Sequence, residues 1–138
     1  MNTLSRINAY QDIMRKYGLP VHPHWSRTGV HSIRQGEQLV RELLACAEER
    51  PNAILCANDL VAAGIVSEAR RQQLRIPEDL AVVGFDSTEL AHTLGITSIY
   101  NPIADQAKNA FHLLLSKLSG VEEEPQKLKY CLVQRATT

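Results

Sequence analysis

Short apolar runs alternate along this chain with amphipathic segments of a dozen residues or more, and that alternation narrows the possible folds sharply. Ala53-Ile-Leu-Cys-Ala57 is too short for a helix and suits a buried strand, as do Leu80-Ala-Val-Val-Gly84 and Ile96 to Ile99. Leu4, Ile7, Tyr10, Met14 and Tyr17 recur at three- and four-residue spacing, which predicts a helix over 3–17 ended by Gly18 and Pro20. A second helix is expected over 31–49, with Ile33, Gly36, Val40, Leu43, Leu44 and Ala47 facing inward. A third runs from Asn58-Asp59 to about Gln73, and its Ala62-Ala63-Gly64 stretch suggests close packing on a sheet. A fourth spans 103–119, carrying Ile103, Ala107, Ala110, Phe111, Leu114, Leu115 and Leu118. Val21 to Trp25 is expected as a short strand, Phe85 to Gly95 as irregular, and Gly120 to Gln126 as a charged turn. Alternating Leu128, Tyr130 and Leu132 mark a last strand. Strands separated by helices of this length predict an α/β fold, a parallel sheet flanked by helices.

At 138 residues, 44% hydrophobic and 22% charged, the chain has the make-up of one ordinary soluble domain. Lys+Arg 15 against Asp+Glu 15 leaves no clustered basic excess, which argues against contact with a phosphate backbone. No apolar run reaches the length of a membrane span, and Met1-Asn-Thr-Leu-Ser-Arg6 has no secretory core. Cys46, Cys56 and Cys131 are odd in number without C-x-x-C spacing, and the first two sit in apolar runs. Reduced thiols, and hence the cytoplasm, are expected.

Ligands of open α/β sheets gather beyond the carboxyl ends of the strands. The residues directly after the expected strands are Trp25, Asn58-Asp59, Asp86 and Asn101. Amides and a carboxylate hydrogen-bond hydroxyls in pairs, and an indole covers the apolar face of a sugar ring, so this rim suits a polyhydroxylated ligand. Each residue also has a plainer role. Asp59 fits the N-cap of the third helix, Asn58 and Asp86 fit turns, Trp25 fits a packing anchor and Arg6 a solvated side chain. His22, His24 and His31 lack a Cys or carboxylate at ligand spacing, so no metal is expected. There is no G-x-S-x-G elbow, no phosphate loop and no G-x-G-x-x-G, and no serine shows an activating base nearby. Neither a cofactor nor an enzymatic activity is expected.

Four segments together carry a family resemblance. Asn52-Ala-Ile-Leu-Cys-Ala-Asn58-Asp59-Leu-Val-Ala-Ala-Gly64, Leu74-Arg-Ile-Pro77-Glu78-Asp79-Leu-Ala-Val-Val-Gly84-Phe85-Asp86, Ile96-Thr-Ser-Ile99-Tyr-Asn101-Pro102 and Leu132-Val-Gln-Arg135-Ala-Thr-Thr138 resemble successive signatures of the LacI/GalR family of bacterial repressors. The resemblance covers essentially the whole chain, as the C-terminal part of a longer regulator. It implies a two-lobed fold similar to periplasmic sugar-binding proteins, with effector held between the lobes. By position it implies effector contacts at Arg6, Asn58, Asp86 and Asn101, and ring stacking on Trp25. Ala9 and Ala107 depart from the family's usual Gly, Ser87 from a common second Asp, and Ile96-Thr-Ser from Leu-Thr-Thr. None removes an implied contact.

The resemblance divides the chain into a C-terminal effector lobe at 1–102, a crossover helix and turn at 103–127 belonging to the other lobe, and a returning strand and tail at 128–138. It places the helix-turn-helix, the first lobe and one central strand ahead of residue 1. The implied partners are a sugar or sugar-phosphate, a second copy in a dimer, and DNA only through the preceding segment, with no membrane. Helix 103–119 would pack on that other lobe, and leaving six apolar side chains bare forfeits on the order of 10 kcal/mol at about 1.5–3 kcal/mol each. That rivals a domain's whole stability, about 5–15 kcal/mol. Self-association, an exchanged segment or a helix docked in a new position is therefore expected. The rival readings are a sugar-binding protein of a transport system, an enzyme on a doubly wound sheet, and a bare association module.

Overall fold

A computed structural model of the chain describes residues 3–45, 50–120 and 124–138. In chain order these residues form α1 (Thr3–Lys16), a 3-10 turn (Pro23–Trp25), α2 (Ile33–Ala45), β1 (Ala53–Leu55) and α3 (Asp59–Arg71). They continue through β2 (Ala81–Asp86), α4 (Glu89–Thr93), β3 (Thr97–Tyr100), α5 (Ile103–Ser119) and β4 (Cys131–Val133). The strands form one sheet in the order β1-β2-β3-β4. The first two pairings are parallel, with Ile54 beside Val82 and Gly84 beside Ser98.

The last pairing is antiparallel, Tyr100 lying opposite Cys131. Alternation at Leu128, Tyr130 and Leu132 suggested a longer strand, but pairing begins only at Cys131. After α5 the chain re-enters at the end of β3 that it left, so it must run back along it. The tail then completes the sheet. The Thr137 hydroxyl donates to the Val82 carbonyl at 2.6 Å and accepts from the Thr97 amide at 2.9 Å, filling the place beside β2 that β3 does not reach.

α3 is the centre of packing. Nine of its residues are buried, and with Val40, Val82, Leu80 and Ile96 they make the core. The small residues of Ala62-Ala63-Gly64 allow close approach, though at Gly64 the neighbour is α2 rather than a sheet. A Cβ on Gly64 would stand 2.1 Å from the Ile33 carbonyl oxygen, and one on Gly36 2.4 Å from that of Val61. The helix pair is tied by a polar cluster. Glu68, fully buried, accepts from Arg41 Nε at 3.0 Å and Gln72 Nε2 at 2.9 Å and pairs with Arg71 at 3.1 Å. These donors, Arg41 first, hold its carboxyl down at about 2.

Other boundaries moved for local reasons. Ser32 and Gln35 cap each other reciprocally, a capping box that starts α2 at Ile33 rather than 31. The expected extension of that helix to 49, with Cys46 and Ala47, lies outside the described residues. Ile33, expected inward, is exposed. Val21 to Trp25 forms no strand, because Pro23 lacks an amide donor and opens the 3-10 turn instead. The segment expected to be irregular contains α4, capped by the Thr88 hydroxyl. Of the charged turn, Val121 to Glu123 lie outside the described residues. α5 has the expected extent, ending on Gly120 in a left-handed conformation.

β1 forms one edge of the sheet. Cys56 N and Asn52 O bond toward β2, so by alternation Ala53, Leu55 and Ala57 turn their backbone groups the other way. Between that edge and α1 lies a cavity of about 500 Å³, walled by Ile7, Tyr10, Met14, Trp25, Ile54 and Phe85 among others. Leu55 is 53% exposed.

Candidate functional site

Three parallel strands deliver the residues beyond their tips to one end of the sheet, and this is where Asn58, Asp86 and Asn101 stand. Asp86 closes β2 with φ of 105° and Ser87 comes next at 51°, both in the left-handed region that non-glycine residues seldom occupy. The turn points the Asp86 carboxylate at the neighbouring tip. Asn101 Nδ2 donates to Asp86 Oδ1 at 3.0 Å, and Asn101 Oδ1 accepts from Gln106 Nε2 at 2.5 Å. Gln106, in the first turns of α5, also donates to the Tyr130 hydroxyl at 3.3 Å.

Arg6 comes to the same edge from α1. Its Nη1 donates to the Ala57 carbonyl at 2.5 Å, and its guanidinium lies 3.5 Å from the Phe85 ring centroid, a close cation–π contact. Phe85 directly precedes Asp86, so Arg6 is held one residue along the chain from the end of β2. Trp25, on the 3-10 turn, also lines the cavity, its ring centroid 4.0 Å from that of His22. Arg6 Nε and Trp25 Nε1 are both buried, belong to residues that line this cavity, and have no hydrogen-bond partner among the described residues. Buried N–H donors are rarely left so, and each lacks an acceptor oxygen.

Asn58 has a capping task as well. It, not Asp59, is the N-cap of α3: its Oδ1 accepts from the Val61 amide at 2.9 Å and its Nδ2 donates to the His31 carbonyl at 3.4 Å. Asp59 is the first helical residue and is buried beneath the tips, where its carboxylate accepts from Thr88 and Ser98. The geometry therefore joins Asp86 to Asn101 and Arg6 to Phe85, places Trp25 on the cavity, and turns Asn58 into its own helix. Phe85, Gln106 and Ser98 were not singled out from the sequence. Their roles depend on cross-strand and helix-start neighbours that carry no local pattern.

Among the described residues no group of three His, Cys, Asp or Glu could hold a metal ion. Cys56, buried beside this site, has its thiol pushed up to about 12 by burial and secondarily by the Asp59 charge, which keeps it protonated at neutral pH. Among the same residues no helix is long and apolar enough to cross a membrane.

The carboxyl edge of the parallel strands, lined here by polar residues, is where α/β domains bind their ligands. The chain belongs to the periplasmic binding protein-like domain family, whose model matches residues 2–138, and it is similar to LacI-type transcription regulators. It is 33% identical over 137 residues to the uncharacterized HTH-type transcriptional regulator YkvZ of Bacillus subtilis, covering 99% of this chain and 42% of that protein. A LacI family transcriptional regulator from Lactobacillus casei with bound sucrose superposes with a TM-score of 0.88 at 25% identity, over 100% of this chain and 52% of the other. The transcriptional regulator CelR in its cellobiose complex gives 0.84 at 26% identity, over 98% and 42%. These relatives are transcription regulators, not enzymes, and the chain spans about half their length or less.

Proposed function

We propose that this chain is the effector-sensing part of a cytoplasmic DNA-binding regulator and takes a sugar or sugar-phosphate at the rim formed by Arg6, Trp25, Asn58, Asp86 and Asn101. The observation that carries this reading is the convergence of three adjacent strand tips, with Asp86 and Asn101 already hydrogen-bonded and Arg6 crossing the same edge. Asp86 accepts ligand hydroxyls, Asn101 donates and accepts, and Trp25 covers an apolar ring face. The unpartnered donors of Arg6 and Trp25 suit a guest rich in oxygens. Bound sucrose in one structural relative and cellobiose in another support the ligand class.

In this reading residues 1–102 form the effector lobe, 103–127 the crossover helix and turn, and 128–138 the returning strand and tail. The bare face of α5, with Phe111 at 60% and Leu118 at 76% exposure, supports assembly as a dimer. Effector acts by its differential affinity for two arrangements of that assembly, and DNA is contacted only by other parts of the regulator. Calorimetry with glucose, sucrose, cellobiose and glucose 6-phosphate tests the proposal. Saturable binding of at least one, lost in Asn101→Ala, is expected; no heat from any of the four refutes the assignment of ligand class.

A further inference from the structure

Asp59 is 1% exposed, and no Lys or Arg among the described residues pairs with it. Its charge is met by three donors. Oδ2 accepts from the Thr88 amide at 2.6 Å and the Thr88 hydroxyl at 2.8 Å, and Oδ1 accepts from the Ser98 hydroxyl at 2.6 Å. Ser98 Oγ in turn accepts from the Ser87 amide at 3.0 Å. On the other side Arg135 reaches in from the tail, donating to Ser87 Oγ at 3.0 Å and to the Ile96 carbonyl at 2.7 Å. Gly84 leaves the room for this: a Cβ there would stand 2.3 Å from Asp59 Oδ1.

Most of these bonds converge on one turn, and that turn is strained. Asp86 and Ser87 are consecutive left-handed residues without the freedom of glycine. Such a conformation persists only where its surroundings over-determine it. The helix N-terminus adds backbone dipoles that favour a carboxylate at Asp59, the first residue of α3. We propose that Asp59 is the positioning residue of the ligand rim, a buried anion that clamps the Asp86–Ser87 turn so that Asp86 is presented to Asn101 and to a ligand. Asp59 itself is shielded from the ligand and acts only through that turn. The inference rests on the ligand-contact role given above to Asp86. It adds a residue whose function is to keep the carboxylate pre-organised, so that no ordering of the turn opposes binding.

The experiment compares Asp59→Asn, Ser98→Ala and Glu68→Gln in this full chain. Asparagine has one acceptor oxygen and no charge, so the bonds from Thr88 and Ser98 to a carboxylate are lost even where one is remade with the amide as donor. Glu68→Gln perturbs a buried carboxylate on the same helix whose partners, Arg41, Arg71 and Gln72, lie on α2 and the far end of α3. Native-state amide exchange at Ser87 and Thr88 needs no ligand. It is expected to quicken about tenfold or more in Asp59→Asn, as losing a hydrogen bond to a charged group implies. The dissociation constant for the tightest-binding of the four sugars is expected to rise about tenfold in parallel. Glu68→Gln lowers the urea midpoint and leaves both quantities at their original values. Exchange and affinity within about twofold of the unsubstituted chain in Asp59→Asn overturn the proposal. So does an equal loss of affinity in Glu68→Gln, which would mark a general packing effect. Should Asp59→Asn not fold, Ser98→Ala removes the Oδ1 attachment together with the acceptor of the Ser87 amide, so it is judged by exchange at Thr88 and by affinity. If none of the four sugars binds the unsubstituted chain, the ligand reading falls while the exchange rates still decide whether Asp59 holds the turn.

Discussion

Gly64→Ala sets two effects of opposite sign against each other, and the structure says which wins. In an isolated helix the change stabilises by about 1 kcal/mol, because glycine is the poorer helix former. In this chain the new methyl would lie 2.1 Å from the Ile33 carbonyl oxygen, 2.9 Å from its carbon and 3.1 Å from Glu37 N. The first distance is far inside the roughly 3.5 Å at which non-bonded heavy atoms attract, and every atom met is backbone. No rotamer change relieves it, so α2 and α3 must part, opening the Val40–Val61–Ile65 packing between them. Overpacking typically costs about 1–3 kcal/mol, and backbone displacement places this site at the upper end. The net loss is about 2 kcal/mol, which at a urea slope of about 1–3 kcal/mol/M lowers the midpoint by about 1 M. The assay is urea unfolding monitored by far-UV circular dichroism, with Ser67→Ala, an exposed site on the same helix, as control. That control is expected to raise stability by roughly 0.5 kcal/mol. A Gly64→Ala midpoint equal to or above the original would refute the close contact and with it the packing of α2 on α3.

Three further outcomes are expected. Glu68 is held at about 2 against an ordinary 4.5 by Arg41, Gln72 and Arg71, so its contribution is complete above pH 4.5 and is lost as pH falls toward 2; unfolding midpoints across that window should drop steeply in the original chain and more shallowly in Glu68→Gln. Asp79, lowered to about 2 chiefly by its hydrogen bond from Arg75, adds to the same acid limb. Iodoacetamide at neutral pH should label exposed Cys131 and spare buried Cys56, whose thiol stands near 12, until urea unfolds the chain; peptide mass spectrometry that finds Cys56 modified first would contradict its burial. Sedimentation should find a species heavier than one chain, and Leu114→Glu with Leu118→Glu on α5 should return it to monomer mass; a monomer before substitution would refute self-association through that face.

Most of the architecture was legible because it depends on periodicity. Apolar runs at 53–57 and 80–84 became adjacent parallel strands, and helix 103–119 matched in extent, since pattern and local caps act within a few residues. What failed depended on distant partners. The direction of β4 is set by where α5 returns the chain, and the tail's place in the sheet by Thr137 bonding to Val82, neither of which leaves a trace in local spacing. Asn58 and Asp59 are adjacent residues that both suit an N-cap, and which one caps is decided by Thr88 and Ser98 claiming Asp59 from other elements. At the rim, the rule that ligands gather beyond strand carboxyl ends was enough to expect Asp86 and Asn101 on one rim, and the two are hydrogen-bonded. The Phe85 ring under Arg6 was not foreseeable, because it requires the placement of α1 against the end of β2.

The central claim is that a hydroxyl-rich ligand sits at these strand tips, and the chain carries its own reporter there. Trp25 is the only tryptophan in the sequence and lines the same cavity as Arg6. Titrating sucrose or glucose 6-phosphate while monitoring tryptophan emission should give a saturable change that disappears in Asp86→Ala. Emission that stays constant through the titration, or an identical curve in Asp86→Ala, would contradict the account.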